Sequence, residues 1–302
     1  MPAVRLDPID EVLALDLGRR GIADFSTPGA ALSAARALSG ARRVLIVTGF
    51  CVPPGLPETD GPPGAAVLGR ALGLLGGAVR YVTDPAVVPP LRAALEALAT
   101  SADIVVYPEE ADPRVLLARE RPTHLVAIER PGRARSADYL SARGESVAAW
   151  NRPIDELFMV AKRPSANLSP VTIAVGDGGN EIGMGNVRAR LCRQGRLMAR
   201  IASVVRVDHL VVAGTSNWGA YGIVAGLERL TGQALLHTPD QERRLIEACV
   251  GAGAVDGIVR SPKLTVDGLP LEVQAAVVEL LRLAASSRPA TARSSGSKAD
   301  RV

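Results

Sequence analysis

Six short runs of aliphatic and β-branched residues recur along the chain, at 43–47, 79–82, 104–107, 124–128, 171–175 and 209–213. They are apolar nearly throughout rather than alternating, as strands buried on both faces must be. Between several of them lie Ala/Leu/Arg segments with helical spacing, such as 65–75 and 89–99. This alternation predicts an α/β fold: a mainly parallel sheet with helices on both faces, three-layered and Rossmann-like. Thr238-Pro239-Asp240-Gln241 carries the start signals of a further helix, with an N-cap Thr, Pro at the first helical position and Gln three residues after the cap. Residues 130–163 break the pattern; charged and without a clear strand, they are expected to form a small inserted subdomain or lid. Residues 286–302 are rich in Ser, Ala, Arg and Pro, with almost nothing to bury. They are expected to be a disordered basic tail behind one α/β domain over residues 1–285.

Composition narrows the function classes. The 302 residues are 47% hydrophobic and 22% charged, which is globular, and no apolar run approaches the ~18 residues of a membrane span. Asp7, Asp10, Glu11 and Asp16 near the start argue against a secretory or transit peptide, so a soluble, cytoplasmic protein is expected. The net charge of +4 is no sign of nucleic-acid binding, because the tail holds four basic residues against one acid and leaves the body close to neutral. Aromatic residues, at 3%, are too few for base-stacking platforms. Three widely spaced cysteines without a CxxC, and three histidines without metal-ligand spacing, argue against a disulfide framework and a zinc site.

In an open parallel sheet, ligands bind outside the carboxyl ends of the strands, so the residues that follow each strand are the informative ones. Gly176-Asp177-Gly178-Gly179-Asn180-Glu181-Ile182-Gly183-Met184-Gly185-Asn186 follows the fifth run. Its glycines suit a backbone that approaches a ligand or donates N–H groups to an anion. Asp177 and Glu181 could move a proton or hold a hard cation. The segment fits neither GxGxxG nor a P-loop, and a tight capped connection is the competing reading. Thr48-Gly49-Phe50 and then Pro57-Glu58-Thr59-Asp60-Gly61-Pro62 follow the first run and lead into a helix, whose N-terminus would favour a substrate carboxylate. Capping of that helix by Thr59 or Asp60 competes with this. Gly214-Thr215-Ser216-Asn217-Trp218-Gly219 follows the sixth run with hydroxyls, an amide and an indole N–H that could orient a polar ligand or an oxyanion, although packing also accounts for Trp218. Glu129 ends the fourth run as a ligand carboxylate or as the partner of Arg130 or Arg133. Arg143, near Asp138 and Tyr139, could grip a carboxylate in the lid. Asp84 reads as a helix cap and Val266-Asp267-Gly268 as a turn.

Together these segments resemble the D-glutamate cyclase family, in its C-terminal domain. The resemblance rests on Thr48-Gly49-Phe50, Pro57-Glu58-Thr59-Asp60-Gly61-Pro62, Ala127-Ile128-Glu129-Arg130, Arg143-Gly144, the stretch 176–185, Ser216-Asn217-Trp218-Gly219 and Val266-Asp267-Gly268. It spans about residues 7–283. Longer family members carry a further domain ahead of this one. Where the family has Asn-Met before the Arg-Gly pair, this chain has Ser141-Ala142. The resemblance implies a hydro-lyase that interconverts D-glutamate and 5-oxo-D-proline plus water, with a small acidic amino acid or its lactam as ligand. Asp177, Glu181 and Glu58 are the candidate catalytic groups. Thr59, Asp60, Glu129, Arg143, Gly178, Gly179, Asn180, Asn186, Ser216, Asn217 and Trp218 are the candidate substrate contacts. No cofactor is required by the sequence; a divalent cation on Asp177 or Glu181 would serve the same chemistry. A metabolite-binding or regulatory module, and a hydro-lyase for a related hydroxy- or amino-acid, are the alternatives.

Overall fold

The computed structural model describes residues 7–162 and 169–286. Six parallel strands form one sheet: β1 (Arg43–Thr48), β2 (Ala78–Thr83), β3 (Ile104–Val106), β4 (His124–Ile128), β5 (Val171–Gly176) and β6 (His209–Val212), in the spatial order β3-β2-β1-β4-β5-β6. Every strand expected from the apolar runs is present to within about two residues at each end. Eleven helices surround the sheet among the described residues: α1 (Pro8–Leu13), α2 (Ala30–Leu38), α3 (Pro62–Leu74), α4 (Val88–Ala97), α5 (Pro113–Glu120), α6 (Glu156–Ala161), α7 (Arg188–Leu191), α8 (Arg196–Ile201), α9 (Ser216–Thr231), α10 (Pro239–Gly251) and α11 (Leu271–Ser286). None is long and apolar enough to cross a membrane. The start of α10 carries the expected capping box between Thr238 and Gln241.

Alternation along the strands assigns two faces. Val44 and Ile46 of β1 join Val126, Ile128, Ile173 and Val175 in the larger core, which α1, α2, α3, α4, α9, α10 and α11 cover. Leu45 and Val47 point the other way, with Leu125, Ala127 and Ala174, into a smaller core closed by α5, α6 and residues around Ile182 and Val205. The sheet is covered on both faces as expected, but unequally.

Strand order reverses between β1 and β4. β1 sends its chain toward β2 on one side, and β4 sends its chain toward β5 on the other. The loops that leave them diverge and open a crevice at the carboxyl edge, where such folds take ligands.

The segment after β4 is fastened to the body. Arg130 is fully buried and ion-pairs with Asp84 while donating to the Gly49 carbonyl. Pro131 bridges to Glu181, and Ala134 to Ser203. Asp84 therefore does not cap the helix that follows it; its oxygens take Arg130 and the Arg152 N–H instead. The tail expected from residue 286 lies, beyond Ser286 itself, outside the described residues.

Candidate active site

At the crevice, four strand ends and two loops bring carboxylates together. Glu58 and Asp60 come from the loop after β1, Glu129 from the end of β4, Asp177 and Glu181 from the loop after β5, and Asp267 from a C-terminal hairpin. They meet around a cavity of about 370 Å³, which Glu58, Glu129, Asp177, Glu181 and Asp267 line together with Arg20, Arg143 and Arg260. Oxygens of Asp60, Asp177 and Asp267 lie within 4.8 Å of one another, as do those of Glu129, Asp177 and Glu181. Two full charges at such a distance repel by about 3–4 kcal/mol even in a polarisable protein environment.

Each acid is placed by a local device. Glu129 holds φ +42 immediately after β4, a left-handed conformation uncommon for a non-glycine residue and often kept at functional sites. Its Oε2 accepts the Ser216 hydroxyl at 2.7 Å. Arg130 and Arg133, the sequence candidates for pairing with it, are engaged by Asp84 and Asp155 instead. Asp267 sits with Gly268 at the tip of the hairpin Thr265–Val266/Leu269–Pro270, with φ +54 and +77, as a type I′ turn requires. The turn expected there is present, and it carries a carboxylate into the site.

The glycine-rich loop differs from its expected use. Gly178 and Gly179 donate their N–H groups to Glu181, at 2.7 and 2.8 Å, so these amides hold a side chain rather than await an oxyanion. A Cβ on Gly178 would lie 2.8 Å from Glu181 Oε1, and Gly179 has φ +99. The glycines let Glu181 fold back over its own loop.

Arg20 is the cation inside the cluster, 2.8 Å from Asp177 Oδ1 and 2.8 Å from Asp267 Oδ2. Sequence reasoning missed it, along with the chemical part of Asp267 and Arg260. Its only signal was a charged pair enclosed by glycines, Gly18-Arg19-Arg20-Gly21. Nearer the mouth, Arg143 donates to the Ile258 carbonyl at 2.8 Å and Arg260 pairs with Glu145.

Burial governs the ionisation of this wall. It pushes Glu58 well above the usual carboxylate range, reinforced by Asp267 and Asp60, and Glu129 likewise, reinforced by Asp177 and Glu181. Asp60 is pushed up to about 7, by burial and then by Asp267, against the N–H groups of Asn217 and Ser216. Asp177 and Asp267 are raised well above their ordinary value by burial, against the pull of Arg20. These two acids approach closely enough for one proton to be shared between them.

Several expected contacts stand behind the cavity rather than in it. Asp60 accepts the N–H groups of Ser216 and Asn217 at 2.8 Å each, so it caps α9 and not the helix that follows it in sequence. Asn217 reciprocates: its Oδ1 accepts Gly61 and Gly64 N–H, at 3.0 and 2.8 Å, at the start of α3. Thr59 donates to the Thr265 carbonyl. Trp218 is fully buried, with its indole N–H on Gln274 at 2.6 Å, so packing is its role. Asn186 braces Val207 through both its amide oxygen and nitrogen. Gly179 and Ser216 also lie outside the lining, whereas Asn180, Gly178 and Arg143 are part of it.

Comparison with known proteins places this arrangement. A 242-residue stretch is 36% identical to the human mitochondrial D-glutamate cyclase, covering 74% of this chain and 38% of that protein. The chain thus matches little more than a third of that relative's length. Among solved structures, an exopolyphosphatase-related protein from Bacteroides fragilis superimposes with a TM-score of 0.40 at 9% identity, over 85% of this chain and 57% of that one. RecJ in complex with Mn2+ from Thermus thermophilus gives 0.34 at 14% identity, over 94% of this chain and 40% of that one. Both scores are too low to inform fold or function. Residues 9–282, which hold every strand of the sheet and every acid of the cavity wall, match the D-glutamate cyclase-like, C-terminal family, and the chain belongs to it.

Proposed function

We propose that this chain is a D-glutamate cyclase-like lyase, closing D-glutamate to 5-oxo-D-proline with loss of water. One observation carries the reading: a single cavity sets a wall of carboxylates against Arg20, Arg143 and Arg260. That complements a ligand with one ammonium and two carboxylates. The ammonium faces the acids, and the carboxylates face the guanidiniums at the mouth and at Arg20.

Ring closure forms a bond from the α-nitrogen to the γ-carboxyl carbon and breaks one C–O bond. The ammonium has three protons and the lactam nitrogen keeps one, so two protons pass from nitrogen to the departing oxygen, which leaves as water. A carboxyl group that readily changes protonation between the two atoms fits this traffic. Glu58 is the best placed: it lines the cavity, burial raises its proton affinity, and its carboxyl rests against Gly257, where a Cβ would come within 2.4 Å. Arg20 on Asp177 and the loop amides on Glu181 fix those two acids, which suits them to holding rather than shuttling. Glu129, steadied by Ser216, completes the acidic face that receives the ammonium.

The test is to incubate the purified protein with D-glutamate, L-glutamate and each enantiomer of 5-oxoproline, and to follow 5-oxoproline by chiral chromatography. Turnover of the D-enantiomer is expected. Tight binding without turnover would make the chain a metabolite-binding module instead. Inertness toward all four compounds would point to a different hydroxy- or amino-acid substrate.

A further inference from the structure

Two trios of carboxylates in the cavity wall have oxygens near enough to share one ion, and they have Asp177 in common. Opposite ligands of one Mg2+, Mn2+ or Ca2+ lie about 4–5 Å apart, so both trios meet the geometric requirement. Clustering alone points to no ion. What separates the trios is how far their charge is already met.

In the trio of Asp60, Asp177 and Asp267, Arg20 reaches two members at 2.8 Å, and both oxygens of Asp60 accept backbone N–H groups. Among the described residues, no side-chain cation pairs with Glu129 or Glu181 of the other trio. A serine hydroxyl donates to Glu129 and two backbone amides to Glu181. Asp177 stands between the two. Its Oδ1 takes Arg20, while its Oδ2 is buried and meets no hydrogen-bond donor among the described residues, in a residue only 4% exposed. A buried carboxylate oxygen without a donor calls for an explanation, and an unseen ion is one.

We propose that Glu129, Asp177 and Glu181 hold one hard divalent cation of the Mg2+/Mn2+ class at the cavity wall, with Arg20 as the fixed positive charge of the neighbouring trio. The ligand set is all carboxylate oxygen, with neither His nor Cys, which selects hard cations over zinc or copper. The supporting contacts are those of a prepared site. Ser216 orients Glu129, the Gly178 and Gly179 amides orient Glu181, and Arg20 orients Asp177 from the oxygen that the cation does not use. Glu129 carries its left-handed backbone at this point, where strain has a use. The inference rests on the cavity's own contacts and holds for any substrate.

The test uses the full chain, stripped with EDTA, desalted and titrated at neutral pH with Mn2+ alone. Electron paramagnetic resonance reports free Mn2+, and circular dichroism follows thermal unfolding. Binding of one Mn2+ per chain is expected, with a melting temperature that rises with Mn2+ and competition by excess Mg2+. E129Q and D177N should each weaken binding by about tenfold or more while keeping the wild-type dichroism spectrum. D267N, in the other trio, should leave affinity nearly unchanged. Failure of the wild-type chain to bind Mn2+ at millimolar concentration overturns the proposal whatever the variants do. So does loss of binding in D267N with retention in E129Q, which would place the ion in the other trio. Mn2+ binding without turnover of D-glutamate upholds this site and removes the cyclase reading, so the two fail separately.

Discussion

Asp60 and Asp177 are both buried carboxylates at the carboxyl edge of the sheet, and their oxygens lie within 4.8 Å of each other, yet their surroundings are opposite. Asp60 accepts backbone N–H groups from Gly61, Ser216 and Asn217. It belongs to a reciprocal clasp in which α3 and α9 each cap the other, and Asn217 completes the exchange. Asp177 meets one guanidinium and leaves an oxygen without a donor. One acid has been given everything a buried carboxylate requires; the other has been left short. Saturation marks the group that holds the fold, and shortage marks the group that waits for something else.

The sharpest division of labour concerns Glu58. If it carries protons between the amine and the departing oxygen, Glu58→Gln should lower kcat with D-glutamate by about 10²–10⁴-fold, the range general acid–base groups supply. Steady-state kinetics, with dichroism as a check on folding, would read this. A loss confined to KM would make Glu58 a binding group and move proton transfer elsewhere.

On the saturated side, Asn217→Ala should destabilise the chain by about 2–3 kcal/mol, because it strands two N–H groups at the start of α3 and the Thr59 carbonyl. Urea unfolding measures it. A change within about 0.5 kcal/mol, as surface substitutions give, would mean that water replaces the clasp and that saturation is no guide to structural weight.

How much of this was legible in the sequence divides along the same line. Strands announced themselves because burial on both faces demands uninterrupted apolar runs, as in Val171–Gly176. The turn at Asp267-Gly268 and the capping box at Thr238 were local signals and emerged where expected. The acids of the β1, β4 and β5 loops were legible as candidates because strand ends are where such folds place chemistry. Their partners were not. That Asp60 caps a helix 156 residues away, or that Arg20 reaches Asp177, follows only from strand order. The same ignorance assigned the glycine amides to an oxyanion when their acceptor was Glu181, three residues or fewer along the chain. Trp218 looked like a ligand group because a strand end was taken as exposed, whereas α11 covers it through Gln274.

The acidic wall should also show in the pH dependence of stability. Glu58, Asp60, Glu129, Asp177 and Asp267 all keep their protons to higher pH in the folded chain than when unfolded. For Asp60 the window runs from 3.8 to about 7. Across that window the folded state binds more protons than the unfolded one, so stability falls as pH rises. In EDTA, the loss between pH 5 and 7 should be about 2 kcal/mol from one such group, seen as a lower urea midpoint. A midpoint that rises over the same interval would mean that these acids are ionised and well compensated in the folded chain, and the contrast with the clasp would collapse.

The smallest effect is the most discriminating. Asp177→Asn removes a charge that neighbours Asp267, Glu181 and Glu129, and it leaves Arg20 still paired with Asp267. The amide can accept from Arg20 through its oxygen and offer its nitrogen to the surrounding carboxylates, so it supplies donors where the wild type lacks them. In EDTA at neutral pH, stability should therefore stay within about 1 kcal/mol of wild type or rise, as it does when a strained functional group is replaced. Asp60→Asn makes the matching change in the clasp, but there the new amide nitrogen faces N–H groups that need acceptors, so this variant should be the less stable of the two. If both substitutions cost the same, the two acids differ only in their place in the chain. If Asp177→Asn alone is tolerated, the orphaned oxygen is a property kept for the ligand side of the cavity, at the fold's expense.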